Sequence, residues 1–328
     1  MFLLRFDTRA PGKSAEERAA LYRAAIDMGA WGDVNGCAGI AISEHHASED
    51  GYLPAPLTLA GAMAAVTTSA PIVIAAALLA LYEPVRLAEE MIVVDHISRG
   101  RAMFVLGLGY RPLEYQLHGV DYERRGRVAD EKLEALLGAL RDASSGSAMP
   151  RITPPPFSPN GPMLAWGGAT KAAARRAGRN GLGFFAQTNL PGLREAYEEA
   201  ARAHGHEPGM CILPSPQTPT SVFVNDDLDA GWRDVGAALL ADAVIYAEWN
   251  EAAGSAEYTA SLSRGRTVEA LREENGAHRV VTTGEAVELV RTHGTLGLHP
   301  LCGGLDPEVA WPYLRRVADE VIPALTGG

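Results

Sequence analysis

The sequence predicts an α/β protein, a single (β/α)8 TIM barrel with insertions, running as one domain through residues 1–328. Three observations carry that expectation. Strand-like and helix-like segments alternate almost from end to end. The strands are near-continuous apolar runs, as a parallel sheet covered by helices on both faces requires. Eight strand-then-helix units can be counted, which suits a closed barrel better than an open sheet. At 328 residues and 47% hydrophobic, the chain has ample material for a large core. Length alone would allow two domains, but barrels of this size are commonly one.

Phe2–Phe6 reads as the first strand. Ser14 then opens a helix with a capping box, in which Glu17 reaches back to the residue that caps it. Leu21, Ala25 and Met28 give that helix an apolar stripe, and Gly29 helps end it. Gly39–Ser43 is the second strand, followed by a loop through Glu49-Asp50-Gly51-Tyr52 and a helix near Pro56–Thr67. Pro71–Ala76 is the third strand. Pro84 suits the first position of a helix to about Ser98, which Gly100 closes. Arg101–Gly109 is the fourth strand, and a helix runs from about Arg125 to Arg141. A proline-rich connector, Pro150–Pro162, interrupts the alternation. It resumes with strand Met163–Trp166, helix Thr170–Arg179, strand Leu182–Ala186 and helix Leu190–Ala203. Strand Ser221–Val224 and a helix from Leu228 to about Trp249 come next, then a polar insertion over about 250–280. Thr282 and Glu285 form a second capping box, and a last strand, Leu296–Leu301, leads to helix Pro307–Leu325.

The formal net charge of −11 argues against nucleic-acid binding, which needs a basic surface. Cys37, Cys211 and Cys302 are widely spaced and in no metal-ligand pattern, which fits free thiols in a reducing cytoplasm and no metal site. Met1–Phe6 is too short and too soon interrupted by charge for a signal peptide. The longest apolar run, Ala70–Tyr82, falls short of the roughly 18 residues a membrane span needs.

Chemistry gathers where barrel strands end. The second strand ends in Glu44-His45-His46, the third in Ala75-Ala76, the fourth in Gly107-Leu108-Gly109-Tyr110, and the fifth in Gly167-Gly168-Ala169-Thr170. Four such corners on one face can line one pocket. Taken alone, His45 reads more readily as a hydrogen-bonding strand-end residue than as a catalytic one. The Gly-x-Gly at 107–109 reads equally as a tight turn, and the alanines as a packed strand. The Gly167–Thr170 corner opens a helix whose free amides favour an anion, with Thr170 adding a hydroxyl and Lys171, Arg175 and Arg176 nearby. A metal-dependent hydrolase using His45 and His46 is disfavoured, because adjacent strand residues point to opposite faces.

In this order and spacing the chain resembles the bacterial luciferase-like flavin-dependent oxidoreductase family, including its F420-dependent branch. The resemblance is densest over Ser43-Glu44-His45-His46, Pro84 to Glu90, Asp95-His96-Ile97-Ser98-Arg99-Gly100-Arg101 and Gly107-Leu108-Gly109, with Gly303 to Glu308 similar to the family's closing segment. It implies that His45 donates or accepts a proton near the flavin. Imidazole suits that role at neutral pH. Glu44 is then an orienting partner or an interior hydrogen bonder, and His46 is structural. The resemblance further implies a non-proline cis peptide at Ala75-Ala76 under the isoalloxazine ring, and backbone amides of Gly107, Leu108 and Gly109 beside it. It leaves Gly167, Gly168, Ala169 and Thr170 for the phosphate. Luciferase carries an arginine for the flavin phosphate where this chain has Leu108, a departure that weakens FMN held in the luciferase manner.

The implied activity is that of a two-component monooxygenase using reduced FMN and dioxygen on a small organic substrate, with a separate flavin reductase. The alternative is hydride transfer with F420. A non-catalytic flavin-binding relative is the remote option. The family also implies a homodimer through the helices Pro56–Thr67 and Pro84–Ser98, while the cytoplasmic location rests on the cysteines. No segment names the substrate.

Overall fold

The structure is a computed structural model that describes residues 1–145, 152–215, 218–254 and 262–327. In chain order its elements are β1 (Phe2–Phe6), α1 (Ala15–Val34), β2 (Cys37–Ile42), α2 (Pro56–Val66), β3 (Ile72–Leu78), α3 (Pro84–Ser98) and β4 (Ala102–Gly107). Then come α4 (Pro112–Leu117), α5 (Arg125–Ser145), β5 (Met163–Gly168), α6 (Lys171–Arg179), β6 (Gly183–Ala186), α7 (Leu193–Ala203), β7 (Cys211–Ile212) and β8 (Ser221–Val224). The last part comprises α8 (Leu228–Ala252), α9 (Val268–Glu274), β9 (His278–Val281), α10 (Thr283–His293), β10 (Leu296–Leu298), α11 (Pro307–Arg316) and α12 (Ile322–Thr326). Both capping boxes form as the sequence indicates, Ser14 with Glu17 and Thr282 with Glu285.

Several details depart from the sequence reading: α4 stands where the sequence suggests loop, and the helix expected over Pro307–Leu325 is divided into α11 and α12. α1 continues through Gly29 to Val34, because Gly29 and Gly32 lie on its buried face and pack there instead of ending the helix. A Cβ on Gly32 would come within 2.5 Å of Leu4. Two further short strands, β7 and β9, exist. β7 has two residues, and β9 opens with His278 and Arg279, so neither carries an apolar run long enough to signal a strand. The stretch read as a polar insertion therefore contains α9 and β9, while residues 255–261 lie outside the described residues. So do the first two residues of the proline-rich connector.

The chain divides into two compact units. The first holds residues 1–41, 48–53 and 214–328, and the second holds 42–47 and 54–213. In the first unit β10 pairs in parallel with β1, which neighbours β2, and β8 pairs in parallel with β9. Its interior contains charge as well as hydrocarbon. Arg9, 1% exposed, reaches Asp7 (3.2 Å), Asp242 (3.4 Å) and Asp50 (3.6 Å). The rings of Tyr246, Tyr52 and Trp249 enclose its guanidinium at 4.3, 4.7 and 5.4 Å. His278 bonds Asp242 (2.8 Å) and the Ser263 hydroxyl (2.9 Å), and His299 lies 3.3 Å from Asp7. Buried charges persist only when paired, and here each carboxylate faces a guanidinium, with His278 and His299 beside Asp242 and Asp7.

In the second unit β3, β4, β5, β6 and β7 form a continuous parallel ladder, so their carboxyl ends share one edge. β4 is buried along its whole length, as its unbroken apolar run implies. The segment Asp95 to Arg101 is architectural. Arg99 (φ 54°) and Gly100 (φ 80°) end α3, and the Arg101 guanidinium donates to the carbonyls of Ala64 in the last turn of α2 and of Thr67 and Ala70 just after it. Buried Asp95 accepts from the Ser158 amide (2.8 Å) and hydroxyl (2.7 Å), which fastens the connector to α3.

Candidate functional site

The site edge of the second unit starts from backbone. The Ala75–Ala76 peptide is cis, and the β3–β4 register shifts there before Leu78 meets Gly107. A Cβ on Gly107 would lie 2.9 Å from the Ala76 Cβ, so glycine is required opposite that alanine. Ala75, Ala76, Leu108 and Gly109 are half-buried. The result is a strip of strand-end backbone almost without side chains, on which a flat ring can lie close.

Glu44, His45 and His46 follow β2, and their carboxylate partners come from different places. His45 Nδ1 donates to Glu114 Oε1 at 2.7 Å. The same oxygen accepts from the His46 amide (3.0 Å) and from Arg111 (3.2 Å). Glu114 stands in the first turn of α4, which Pro112 starts. Glu44 turns instead to His46 Nε2 (2.7 Å), the Leu78 amide (3.0 Å) and the Tyr82 hydroxyl (3.0 Å). It thus ties the Glu-His-His turn to the end of β3 and does not reach His45. His46 meets the His118 ring edge-on at 4.6 Å. On its far side, His45 Nε2 lies 3.4 Å from the Tyr110 hydroxyl.

The two carboxylates titrate in opposite directions. Burial pushes the Glu44 carboxyl up, and its three donors do not reverse this. Burial works against Glu114 as well, but the His45 hydrogen bond and charge, the His46 amide and Arg111 hold its carboxyl below the usual range. Glu114 is therefore the charged partner, and an ionised carboxylate only accepts, so the neutral His45 ring carries its proton on Nδ1. Charge-assisted bonds of this kind contribute about 1.5–3 kcal/mol each. The dyad has a fixed tautomer and an imidazole nitrogen facing out of the carboxylate pocket, which is what a proton donor or acceptor needs.

Sequence reasoning missed Glu114. It lies 69 residues from His45, and the one local sign is a glutamate set into the first turn of a proline-started helix.

At the fifth strand end, Thr170 caps α6 by accepting from the Ala173 amide. A Cβ on Gly168 would meet the Ala173 Cβ at 2.6 Å, which keeps that corner bare. The early amides of α6 are the local anion donors. Lys171 and Arg175 are exposed, whereas Arg176 is committed elsewhere. Arg176 lies against Trp166 (5.0 Å) and holds Asp130 with Nε (2.6 Å) and Nη2 (3.1 Å).

Among the described residues one trio, Asp242, His299 and Cys302 in the first unit, brings single metal-ligand atoms within 4.8 Å of one another. Arg9 already supplies the cation at Asp242, and burial pushes the Cys302 thiol well up, away from the thiolate that a metal needs.

Parallel strand ends that present a buried carboxylate–imidazole pair beside bare backbone are the kind of arrangement from which α/β enzyme sites are built. The luciferase-like monooxygenase family profile matches residues 2–297, and the chain belongs to that family. It is 25% identical over 228 residues to the alkanal monooxygenase beta chain of Vibrio harveyi, covering 64% of this chain and 65% of that one. Its fold is similar to the FMN-bound oxygenating constituent of 3,6-diketocamphane monooxygenase from Pseudomonas putida (TM-score 0.70, 20% identity, 98% of this chain, 97% of that chain). It is also similar to the coenzyme F420-dependent tetrahydromethanopterin reductase of Methanopyrus kandleri (TM-score 0.56, 15% identity, 99% of each chain). The first curated relatives are matched over only 29% to 65% of their length. No helix among the described residues is long and apolar enough to cross a membrane.

Proposed function

We propose that the chain is a flavin-dependent oxidoreductase, a two-component monooxygenase that uses reduced FMN and dioxygen on a small organic substrate. Reduced flavin would come from a separate reductase, and a closed (β/α)8 barrel is the frame. The observation that carries this is the Glu114–His45 dyad, 2.7 Å apart, among the strand ends that follow the Glu-His-His turn. Ala75, Ala76, Gly107, Leu108 and Gly109 would lie beside the isoalloxazine ring, and Gly167, Gly168, Ala169 and Thr170 would hold the phosphate. The bare corners at Gly107 and Gly168 and the free amides of α6 fit such a group. When bound, the flavin supplies the electrons and the site of oxygen chemistry. The chain's own residues hold and move a proton. Glu114 orients the His45 ring and stabilises its protonated form, and His45 gives or takes the proton at Nε2.

A second reading is hydride transfer with F420, which Leu108 favours because it places an apolar side chain where luciferase has its phosphate-binding arginine. Exposed Val66, Val85, Val93 and Ile97 on α2 and α3 support a homodimer through those helices. Three free cysteines support a cytoplasmic location.

The test is an anaerobic titration of the protein with reduced FMN and, separately, with F420. Selective binding of reduced FMN, followed by an absorbance change that requires air, is the expected result. Selective binding of F420 with no oxygen dependence would replace the first reading with the second, and binding of neither would reject both.

A further inference from the structure

His45 Nδ1 is occupied by Glu114, so whatever the dyad does chemically passes through Nε2, and Nε2 faces the Tyr110 hydroxyl at 3.4 Å. We propose that Tyr110 is a catalytic residue: its phenol meets the reacting molecule, and Glu114–His45 is the relay that takes and returns its proton. This rests on the reading of His45 as the proton-handling residue of the site.

Burial orders the three groups along one line. Glu114 is 0% exposed, His45 is 7% exposed and Tyr110 is half-buried, so Tyr110 is the most exposed member of the three. The rings of His45 and Tyr110 meet edge-on, centroids 5.4 Å apart at 75°, which keeps the hydroxyl beside Nε2. Because Glu114 fixes the proton on Nδ1, neutral His45 offers a lone pair at Nε2, and the phenol donates into it. The 3.4 Å separation is that of a resting contact, of the kind that tightens when a ligand closes the site.

Anchoring the loop does not require this hydroxyl. The Tyr115 hydroxyl holds the Leu108 carbonyl, and the Tyr122 hydroxyl holds the Tyr110 carbonyl at 3.1 Å. Tyr122 is in turn covered by the Arg125 guanidinium at 3.9 Å and packs edge-on against Tyr115. Gly107 to Tyr110 is therefore fastened through its backbone by two other tyrosines.

The step balances without an electron change. The Tyr110 O–H bond breaks as a bond from Nε2 to hydrogen forms, and the phenolate oxygen takes a proton from an acidic O–H or C–H of the reacting molecule. His45 then carries a positive charge opposite the Glu114 carboxylate. Running backwards, the imidazolium returns its proton to Tyr110 and Tyr110 to the product. Without Glu114 the imidazolium would be an unpaired buried charge, which is why the carboxylate is a positioning residue of this relay.

The test uses Tyr110→Phe, which keeps the ring and removes the hydroxyl, beside His45→Ala. In protein labelled with ¹⁵N-histidine and free of ligand, Tyr110→Phe should move the His45 Nε2 resonance and leave the Nδ1–H signal to Glu114 in place. In protein loaded with reduced FMN, the air-dependent reaction should slow about 100-fold in Tyr110→Phe, with cofactor binding retained. An unmoved Nε2 resonance, or a normal rate in Tyr110→Phe alongside a dead His45→Ala, would overturn the relay and leave His45 acting directly. A normal rate in His45→Ala would remove the reading of His45 itself, and the relay with it.

Discussion

Each unit of this protein buries a cluster of charged and imidazole side chains, and the two clusters are built to different ends. In the first unit Arg9 sits among Asp7, Asp50 and Asp242 and under three aromatic rings. In the second, Glu114 and His45 make a pair whose outer nitrogen faces a half-buried tyrosine. The first cluster is closed to solvent: Asp7, Arg9, Asp242, His278 and His299 are all buried, and each carboxylate faces a guanidinium. The second is open at one end. A buried charge becomes chemistry only where its network reaches a side chain that another molecule can meet.

The largest contrast should come from deleting the centre of each. His45→Ala should abolish turnover while sparing the fold and cofactor binding, measured by reaction rate and by thermal unfolding in parallel. Arg9→Ala should do the reverse in emphasis. It leaves Asp7 and Asp242 buried without their guanidinium, and urea unfolding should record a loss of about 3–5 kcal/mol. Glu114→Gln should sharpen the comparison, because it keeps the shape of the dyad and removes its charge. Turnover should fall about 10- to 100-fold, and the limb of the pH–rate curve that reports His45 should move to lower pH as its protonated form loses a partner. Gly107→Ala should cost about 1–3 kcal/mol in stability through the Ala76 contact and weaken flavin binding measured by fluorescence titration.

The smallest effect is a pH dependence belonging to the closed cluster. Burial opposes the charge on Asp7, but His299 and Arg9 hold its carboxyl down at about 2. Its folded value is lower than its unfolded one, so the stability it contributes is present above about pH 4 and is lost as pH falls towards 2. Asp7→Asn should flatten that part of the stability–pH curve, followed by denaturant midpoints at each pH.

Local signals were legible in the sequence, and pairings across long separations were not. The capping boxes at Ser14 and Thr282, the strand-then-helix alternation and the Pro84 start of α3 are all written within a few residues, and all are present. His45 stood out because a polar triplet ended an apolar run. Its partner did not, since Glu44 was adjacent in sequence and Glu114 was 69 residues away. The turn after β2 explains the outcome: it brings Glu44 and His46, two apart, together at 2.7 Å and sends the His45 ring to Glu114. The closed cluster was invisible for the same reason. Arg9, Asp50, Asp242, His278 and His299 come from five separate segments, and none sits in a motif. β9 was lost because His278 and Arg279 mask a strand whose apolar part is two residues long.

The most direct measurement compares the wild-type protein with His45→Ala, both loaded anaerobically with reduced FMN and then mixed with air across a range of pH. Equal FMN binding, with the air-dependent rate and its pH dependence lost in the variant, is the expected result. An unchanged rate and pH dependence in His45→Ala would contradict the account, because the open end of the second cluster would then have no part in the chemistry.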